Sequence, residues 1–184
     1  ITAYLLRLIY TFEISDRPYF TGPGVDPEYH DQWAMEVASG DWQREEPFFR
    51  APLYPYFLGG IYAVFGHDYF LARVIQALIG AFSCVLIYLL GRRLFNRTVG
   101  AVSGFAAAFT GIFIYFEAEL LIPVLLLPLY LGLALILLKA RDNDRGVHWW
   151  LTGLLLGFSA IARPNILIIS PLLLYIFFEG KNFR

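Results

Sequence analysis

Three groups of ionisable residues stand where reactive chemistry can be placed. The first is Asp26, in Val25-Asp26-Pro27-Glu28-Tyr29-His30. A carboxylate at the mouth of a helix bundle, partly desolvated, can take a proton from a nucleophile, a role worth about 10²–10⁴-fold in rate. Followed by proline, the same aspartate also has the sequence of a helix N-cap, and both roles can hold at once because a cap fixes the side chain. The second group is Glu117 and Glu119, in Phe116-Glu117-Ala118-Glu119-Leu120 between two long apolar runs. An ionisable group at membrane depth costs at least about 2.5 kcal/mol and calls for a partner, whereas two glutamates in a solvated turn need none. The third is Arg163, in Ala162-Arg163-Pro164-Asn165, a cation and a break inside an apolar stretch. Its guanidinium can grip a phosphate with a bidentate fork or snorkel from a helix end. Arg50, before Ala51-Pro52-Leu53, and Arg73 offer the same two alternatives. Glu28 and Asp31 fall elsewhere around the turn from Asp26 and are expected to be solvated. His30, His67 and His148 are scattered, and neither His-x-x-x-His nor Cys-x-x-Cys occurs, so no protein-built zinc site is expected. No GxxxxGK[ST] loop is present for ATP.

The elements that must position these groups are membrane helices. Of 184 residues, 58% are hydrophobic, 18% aromatic and only 16% charged, with mean hydropathy +0.58. Soluble domains carry about 25% charged residues, so this composition excludes a soluble enzyme and a disordered chain. A net charge of -1 provides no basic face for nucleic acid, and one cysteine, Cys84, excludes a disulfide framework. The expected fold is all-α, a polytopic integral membrane bundle. It comprises a partial first helix (1–12), a long outer loop with interfacial helices (13–68), and membrane helices at 70–90, 99–116, 119–138, 149–162 and 166–178. The first run is shorter than the roughly 20 residues a span needs, so the chain reads as part of a longer one. Pro123 and Pro128 predict a kink near the start of the third full span.

The flanking cations set the expected orientation. Arg92, Arg93 and Arg97 close one crossing and Lys139, Arg141 and Arg145 another. Lys181 and Arg184 join the same side if the last stretch is a hairpin at Arg163-Pro164-Asn165 rather than one broken helix. The positive-inside rule makes that side cytoplasmic and turns the first loop, the Glu117–Glu119 tip and Arg163 outward. The loop from Glu13 to Asp68 holds ten acidic residues against Arg17, Arg44 and Arg50, and loops of this length tend to be functional. Within it, Asp26 as N-cap, Pro27 at the first helical position and Gly40 past the end predict a helix. Trp33, Ala34, Val37 and Ala38 share one of its faces, directed at the membrane surface or the bundle. Ala51–Gly66, Pro-opened and Tyr-rich, suits an interfacial helix. The Gly59-Gly60 pair and the Gly100/Gly104 spacing read as packing aids.

The order of these motifs resembles the polyprenyl-phosphate-sugar-dependent glycosyltransferases of the GT-C fold (glycosyltransferase family 39), which include the protein O-mannosyltransferases and the lipid A aminoarabinose transferases. Asp26-x-x-Tyr29 followed by Trp33-Ala34 is similar to their D-E-x-x-Y entry motif, and Phe48-Phe49-Arg50-Ala51-Pro52-Leu53-Tyr54 to their H-P-P-L-Y segment. Gly66, Ala72-Arg73 and Gly80 match the opening of their second helix, and Gly91-Arg92-Arg93-Leu94-Phe95 its close. Glu119-Leu120-Leu121 stands where they carry an acid after the third helix, and Ala162-Arg163-Pro164-Asn165 resembles a later Arg-Pro turn. The departures are Pro27 in place of the second acid, Glu119 in place of the more usual aspartate, and Ala51 in place of the first proline.

The resemblance implies an N-terminal portion of an inverting enzyme in the bacterial inner membrane, with its active site facing the periplasm. It would move a sugar from an undecaprenyl- or dolichyl-type phosphate to a hydroxyl of a protein, lipid A or a glycan. Asp26 would be the base, and Glu119, with Glu117 in reserve, would orient the acceptor or support developing charge. Arg50, Arg163, Tyr29 and Arg73 would bind the lipid phosphate and substrate. No cofactor is obligatory, although some relatives use a divalent cation. The partners implied are membrane lipid, the lipid-linked sugar and a protein or glycolipid acceptor, with no nucleic acid. The competing readings are a non-catalytic membrane subunit, a transporter segment, or a lipid-linked-oligosaccharide polymerase or ligase. A transporter predicts charges near the midplane of broken, repeated helices; here the acids gather at helix ends.

Overall fold

A computed structural model describes residues 1–22, 24–43, 50–142 and 146–182. Arg44, Phe48, Phe49, Arg145 and Arg184 lie outside the described residues, as does the side chain of Lys181. Every element among the described residues is helical. Helix α1 (Thr2–Ile14) and the single turn α2 (Pro18–Thr21) lead to α3 (Val25–Ala38) and α4 (Leu53–Phe65). Among the described residues, two helices are long and apolar enough to cross a membrane, α5 (Tyr69–Leu94) and α8 (Pro123–Asp142). The pair α6 (Arg97–Phe109) and α7 (Gly111–Ala118) is long and apolar enough only when taken together, and its bend makes it a broken span or a re-entrant loop. Last come α9 (Gly146–Ala162), a 3₁₀ segment (Pro164–Ile169) and α10 (Ser170–Asn182). The chain is an all-α membrane bundle.

Local chemistry sets the helix ends. Asp68 caps α5 by accepting from the backbone N–H of Phe70 at 2.7 Å and of Leu71 at 3.1 Å, and Asn96 caps α6 by accepting from Val99 N–H at 2.9 Å. The positive ends Arg92–Arg93 and Lys139–Arg141 complement the C-terminal dipoles of α5 and α8. Arg93 pairs with Asp142 and donates to the Leu138 carbonyl at 3.4 Å, which puts both basic ends at one end of the bundle. The antiparallel return of α6 along α5 needs Gly100, where a Cβ would stand 2.6 Å from the Tyr88 carbonyl.

The predicted 99–116 span is broken, turning through 54° where Thr110 adopts an extended backbone before Gly111. At the break, Arg7 Nη1 donates to the Ala108 carbonyl at 3.5 Å, a carbonyl that the interrupted helical ladder leaves without its usual donor. Residues 119–122 are not helical, so the next span starts at Pro123, where a proline costs no hydrogen bond. Beyond Ala162 the chain folds back: Trp149, near the start of α9, packs edge-on against Phe177 of α10 with ring centroids 4.9 Å apart.

Helices α3 and α4 form a cap over the end of the bundle opposite the basic residues. Ala34 of α3 and Tyr54, Leu58, Ile61 and Tyr62 of α4 form one core with Ala72, Leu120 and Val124. Gly59 permits the contact, since a Cβ there would run into Val37 and stand 3.0 Å from the Ala34 carbonyl. The face Trp33, Ala34, Val37 is buried as its spacing predicts, and it packs on α4.

Candidate active site

Asp26 is the second residue of α3, not its cap. Gly24 is the cap, and its carbonyl accepts from Glu28 N–H at 2.8 Å. Pro27 still fits, because the first helical N–H groups have no intrahelical acceptor to lose. The Asp26 carboxylate is exposed and pairs with Arg50 at 2.7 Å. Arg50 also lies over the Tyr29 ring, 5.1 Å from its centroid. The hydrogen bond from Arg50 holds the Asp26 carboxyl below the usual carboxylate range, and the same bond pushes the Arg50 guanidinium up.

One turn along α3, His30 is 5% exposed and its Nδ1 has no hydrogen-bond partner among the described residues. Burial, with a smaller contribution from Arg50, lowers its pKa to about 4. The fold therefore prefers neutral imidazole, whereas the unfolded chain protonates near 6.5. Stability is full above about pH 6.5 and falls by roughly 3 kcal/mol as pH drops from 6.5 to 4. Thermal unfolding of purified protein across that window is expected to show this loss, and His30→Phe to flatten it. A slope unchanged in His30→Phe would assign the loss to another group.

Below α3, a rack of polar side chains holds the turn that carries Glu119. His30 meets Tyr54 edge-on, with ring centroids 5.2 Å apart. The Tyr54 hydroxyl donates to Gln76 Oε1 at 2.5 Å, and Gln76 Nε2 donates to the carbonyls of Glu117 and Glu119, both at 2.9 Å. Arg73 Nε takes the carbonyl between them, Ala118, at 2.8 Å. Three successive carbonyls at the end of α7, which have no intrahelical donor, are thus satisfied by α5. Glu119 leaves this clamp with extended backbone and a half-buried side chain.

The sequence-predicted residues separate into distinct roles. Asp26, Tyr29 and Arg50 stand together, and the His30–Tyr54–Gln76 path connects their helix to Glu119. Arg163 is exposed and lines a cleft shared with Glu117 and Pro123, at the same end of the bundle. Arg73 is buried, with Nη1 donating to Phe20 O at 3.0 Å and the guanidinium 3.9 Å from the Phe20 ring centroid; it braces the backbone. Glu117 is likewise internal, its Oε2 bonded to Arg7 Nε at 2.5 Å.

A family model described as dolichyl-phosphate-mannose-protein mannosyltransferase matches residues 49–184. The chain belongs to that family. It is a membrane glycosyltransferase of the mannosyltransferase type, which sets it among enzymes rather than transporters. Searches of curated proteins and of solved structures return no match. The part shared with the mannosyltransferase family contains Arg50, Arg73, Glu117, Glu119 and Arg163, while Arg7, Asp26, Tyr29 and His30 precede it.

Four residues of this mannosyltransferase-family chain carry structural weight that the sequence reading missed. Asp31, expected to be solvated, is 4% exposed. Its carboxylate accepts from the hydroxyls of Tyr62 at 2.6 Å and Tyr69 at 2.8 Å and lies 3.0 Å from His67 Nε2, so it fastens α3 to α4 and α5. Burial, and then the bond to Asp31, push the Tyr62 hydroxyl up. Arg7, Gln76 and Tyr54 are the others. Arg7 and Gln76 had a readable signal, a strongly polar side chain inside an apolar run, which by default implies an internal partner.

Proposed function

We propose that the protein transfers a sugar from a polyprenyl-phosphate donor to an acceptor hydroxyl, with inversion, on the non-cytoplasmic face of the membrane. The observation that carries this reading is the path from His30 of α3 through Tyr54 of α4 and Gln76 of α5 to the Glu119 carbonyl, which links the helix bearing Asp26 to the turn bearing Glu119. The acceptor oxygen attacks the anomeric carbon, the bond from that carbon to the phosphate oxygen breaks, and the electron pair leaves with the phosphate. Asp26 takes the hydroxyl proton, as a carboxylate does in inverting glycoside hydrolysis. Its pairing with Arg50 keeps it ionised and ready to accept. Glu119 orients the acceptor or supports the oxocarbenium-like charge, and an arginine stabilises the departing phosphate. No metal is needed in this scheme. The clustering of Arg92, Arg93, Lys139 and Arg141 at the far end supports an outward-facing site by the positive-inside rule.

The test is stereochemical. With full-length protein in membranes and a synthetic β-linked polyprenyl-phosphate mannose, product NMR is expected to show an α-mannoside. A β-mannoside would require a covalent or front-face mechanism and would end the single-base reading.

A further inference from the structure

At the basic end of the bundle, α5 and α8 leave an open cleft of about 430 Å³ between them. Leu89 of α5 and Leu135 and Ile136 of α8 form its apolar wall, and Arg92, Arg93 and Lys139 complete its lining. Both helices are long and apolar enough to cross a membrane, and the order of residues is the same on each. The cations follow the apolar residues by three or four positions, one helical turn, or about 5 Å, nearer the helix end. A cleft that is apolar at depth and cationic one turn closer to the helix ends has the layering of a lipid, tail below and headgroup above.

The three cations are not equivalent. Arg93 is engaged by Asp142 and by the Leu138 carbonyl at 3.4 Å, which pins α5 to α8 beside the cleft. Arg92 and Lys139 are exposed, and neither side chain has an acidic partner or a hydrogen bond among the described residues. A guanidinium offers a fork to two phosphate oxygens and a lysine ammonium offers a point charge. Basic pockets between membrane helices on the cytoplasmic side suit anionic headgroups for this reason. We infer that this cleft binds an anionic phospholipid of the leaflet at the basic end. Arg92 and Lys139 hold its phosphate, and one acyl chain lies against Leu89, Leu135 and Ile136. By the positive-inside rule that leaflet is the cytoplasmic one. The site is at the opposite end of the bundle from the α3–α4 cap and does not depend on the transferase reading.

The experiment titrates full-length protein in detergent with phosphatidylglycerol or phosphatidylethanolamine of the same acyl chains and counts bound lipid by native mass spectrometry. Phosphatidylglycerol is expected to bind the tighter. Arg92→Gln and Lys139→Gln should each weaken its binding about fivefold, what one basic residue near an anionic surface contributes, and the double variant should bind the two lipids alike. Neither change touches the Arg93–Asp142 pair, so the contact of α5 with α8 is kept. Leu135→Trp, which fills the groove without altering a charge, should also lower phosphatidylglycerol binding. Arg141→Gln is the control for diffuse surface charge. Arg141 is basic and at the same end but does not line the cleft, and two residues from Lys139 it faces another side of α8; its change should leave binding within about twofold. The inference is overturned if Arg141→Gln costs as much as Arg92→Gln, or if the double variant keeps the preference for phosphatidylglycerol. It is equally overturned if Leu135→Trp binds normally, or if soluble glycerol phosphate displaces the lipid at equal concentration, which would make this a free-phosphate site.

Discussion

Asp26→Asn is expected to cut transfer by about 10²–10⁴-fold, the contribution of a positioned general base, while the protein stays folded in membranes. The asparagine keeps the size and an acceptor oxygen but cannot hold the proton of the incoming hydroxyl. Folding should be nearly indifferent, because the carboxylate is solvent-exposed, caps nothing, and forms only an exposed pair with Arg50. The loss should appear in kcat, with donor affinity retained, since Asp26 is on the acceptor side of the proposed site. Arg50 holds the Asp26 carboxyl below its ordinary range, so in the wild type the acid limb of the pH–rate profile should also lie below that range. The deciding measurement is turnover of Asp26→Asn at a thermal midpoint equal to wild type. Normal turnover there would remove Asp26 from the chemistry, and the base would have to be sought at Glu119.

What was legible in the sequence follows from how far apart the interacting residues are. Span positions depend on local hydropathy, so the cores of α5 and α8 could be read directly, as could the buried face Trp33, Ala34, Val37 of α3 from its spacing. Helix ends were less legible: Asp26 has the type and context of a cap, yet Gly24 supplies the capping backbone. The bend at Thr110 falls in a continuous apolar run without proline, and the side chain that meets it, Arg7, is on another helix 101 residues away in sequence. The same holds for Asp31, which by helix periodicity alone looks solvated and becomes buried only when α4 and α5 bring Tyr62, His67 and Tyr69 around it. Of the candidate site, the exposed members Asp26, Arg50 and Arg163 were readable from residue type. Of the internal rack, Gln76 and Arg73 stand out as polar side chains inside an apolar run, but what they hold does not, because carbonyl groups of a turn leave no trace in side-chain pattern.

The largest stability effect is expected at Arg7. Arg7 and Glu117 have side chains 2% and 6% exposed, and their ion pair joins α1 to α7 across 110 residues of sequence. Arg7 also donates to the Ala3 carbonyl at 3.0 Å and reaches Cys84 Sγ at 3.5 Å. Gly80 leaves the room, since a Cβ there would collide with the Glu117 carboxylate and stand 2.8 Å from Arg7 Nε. Arg7→Ala strands Glu117 without its counter-charge, and breaking one side of a buried pair costs about 3–5 kcal/mol. Removing both charges is a different case: a buried pair replaced by apolar groups of similar volume is often neutral or stabilising. Arg7→Met combined with Glu117→Leu should therefore unfold near the wild-type midpoint, with Arg7→Lys between it and Arg7→Ala because lysine restores the charge without the fork. A double variant as unstable as Arg7→Ala would show that carbonyl contacts, not the ion pair, are what Arg7 provides. The double variant also separates stability from catalysis. Glu119 is held through the carbonyls of residues 117–119 by Gln76 and Arg73, neither of which needs Arg7. Its turnover should consequently stay close to wild type, an outcome that would place Glu117 in the scaffold and leave Glu119 as the acid proposed to face the reaction.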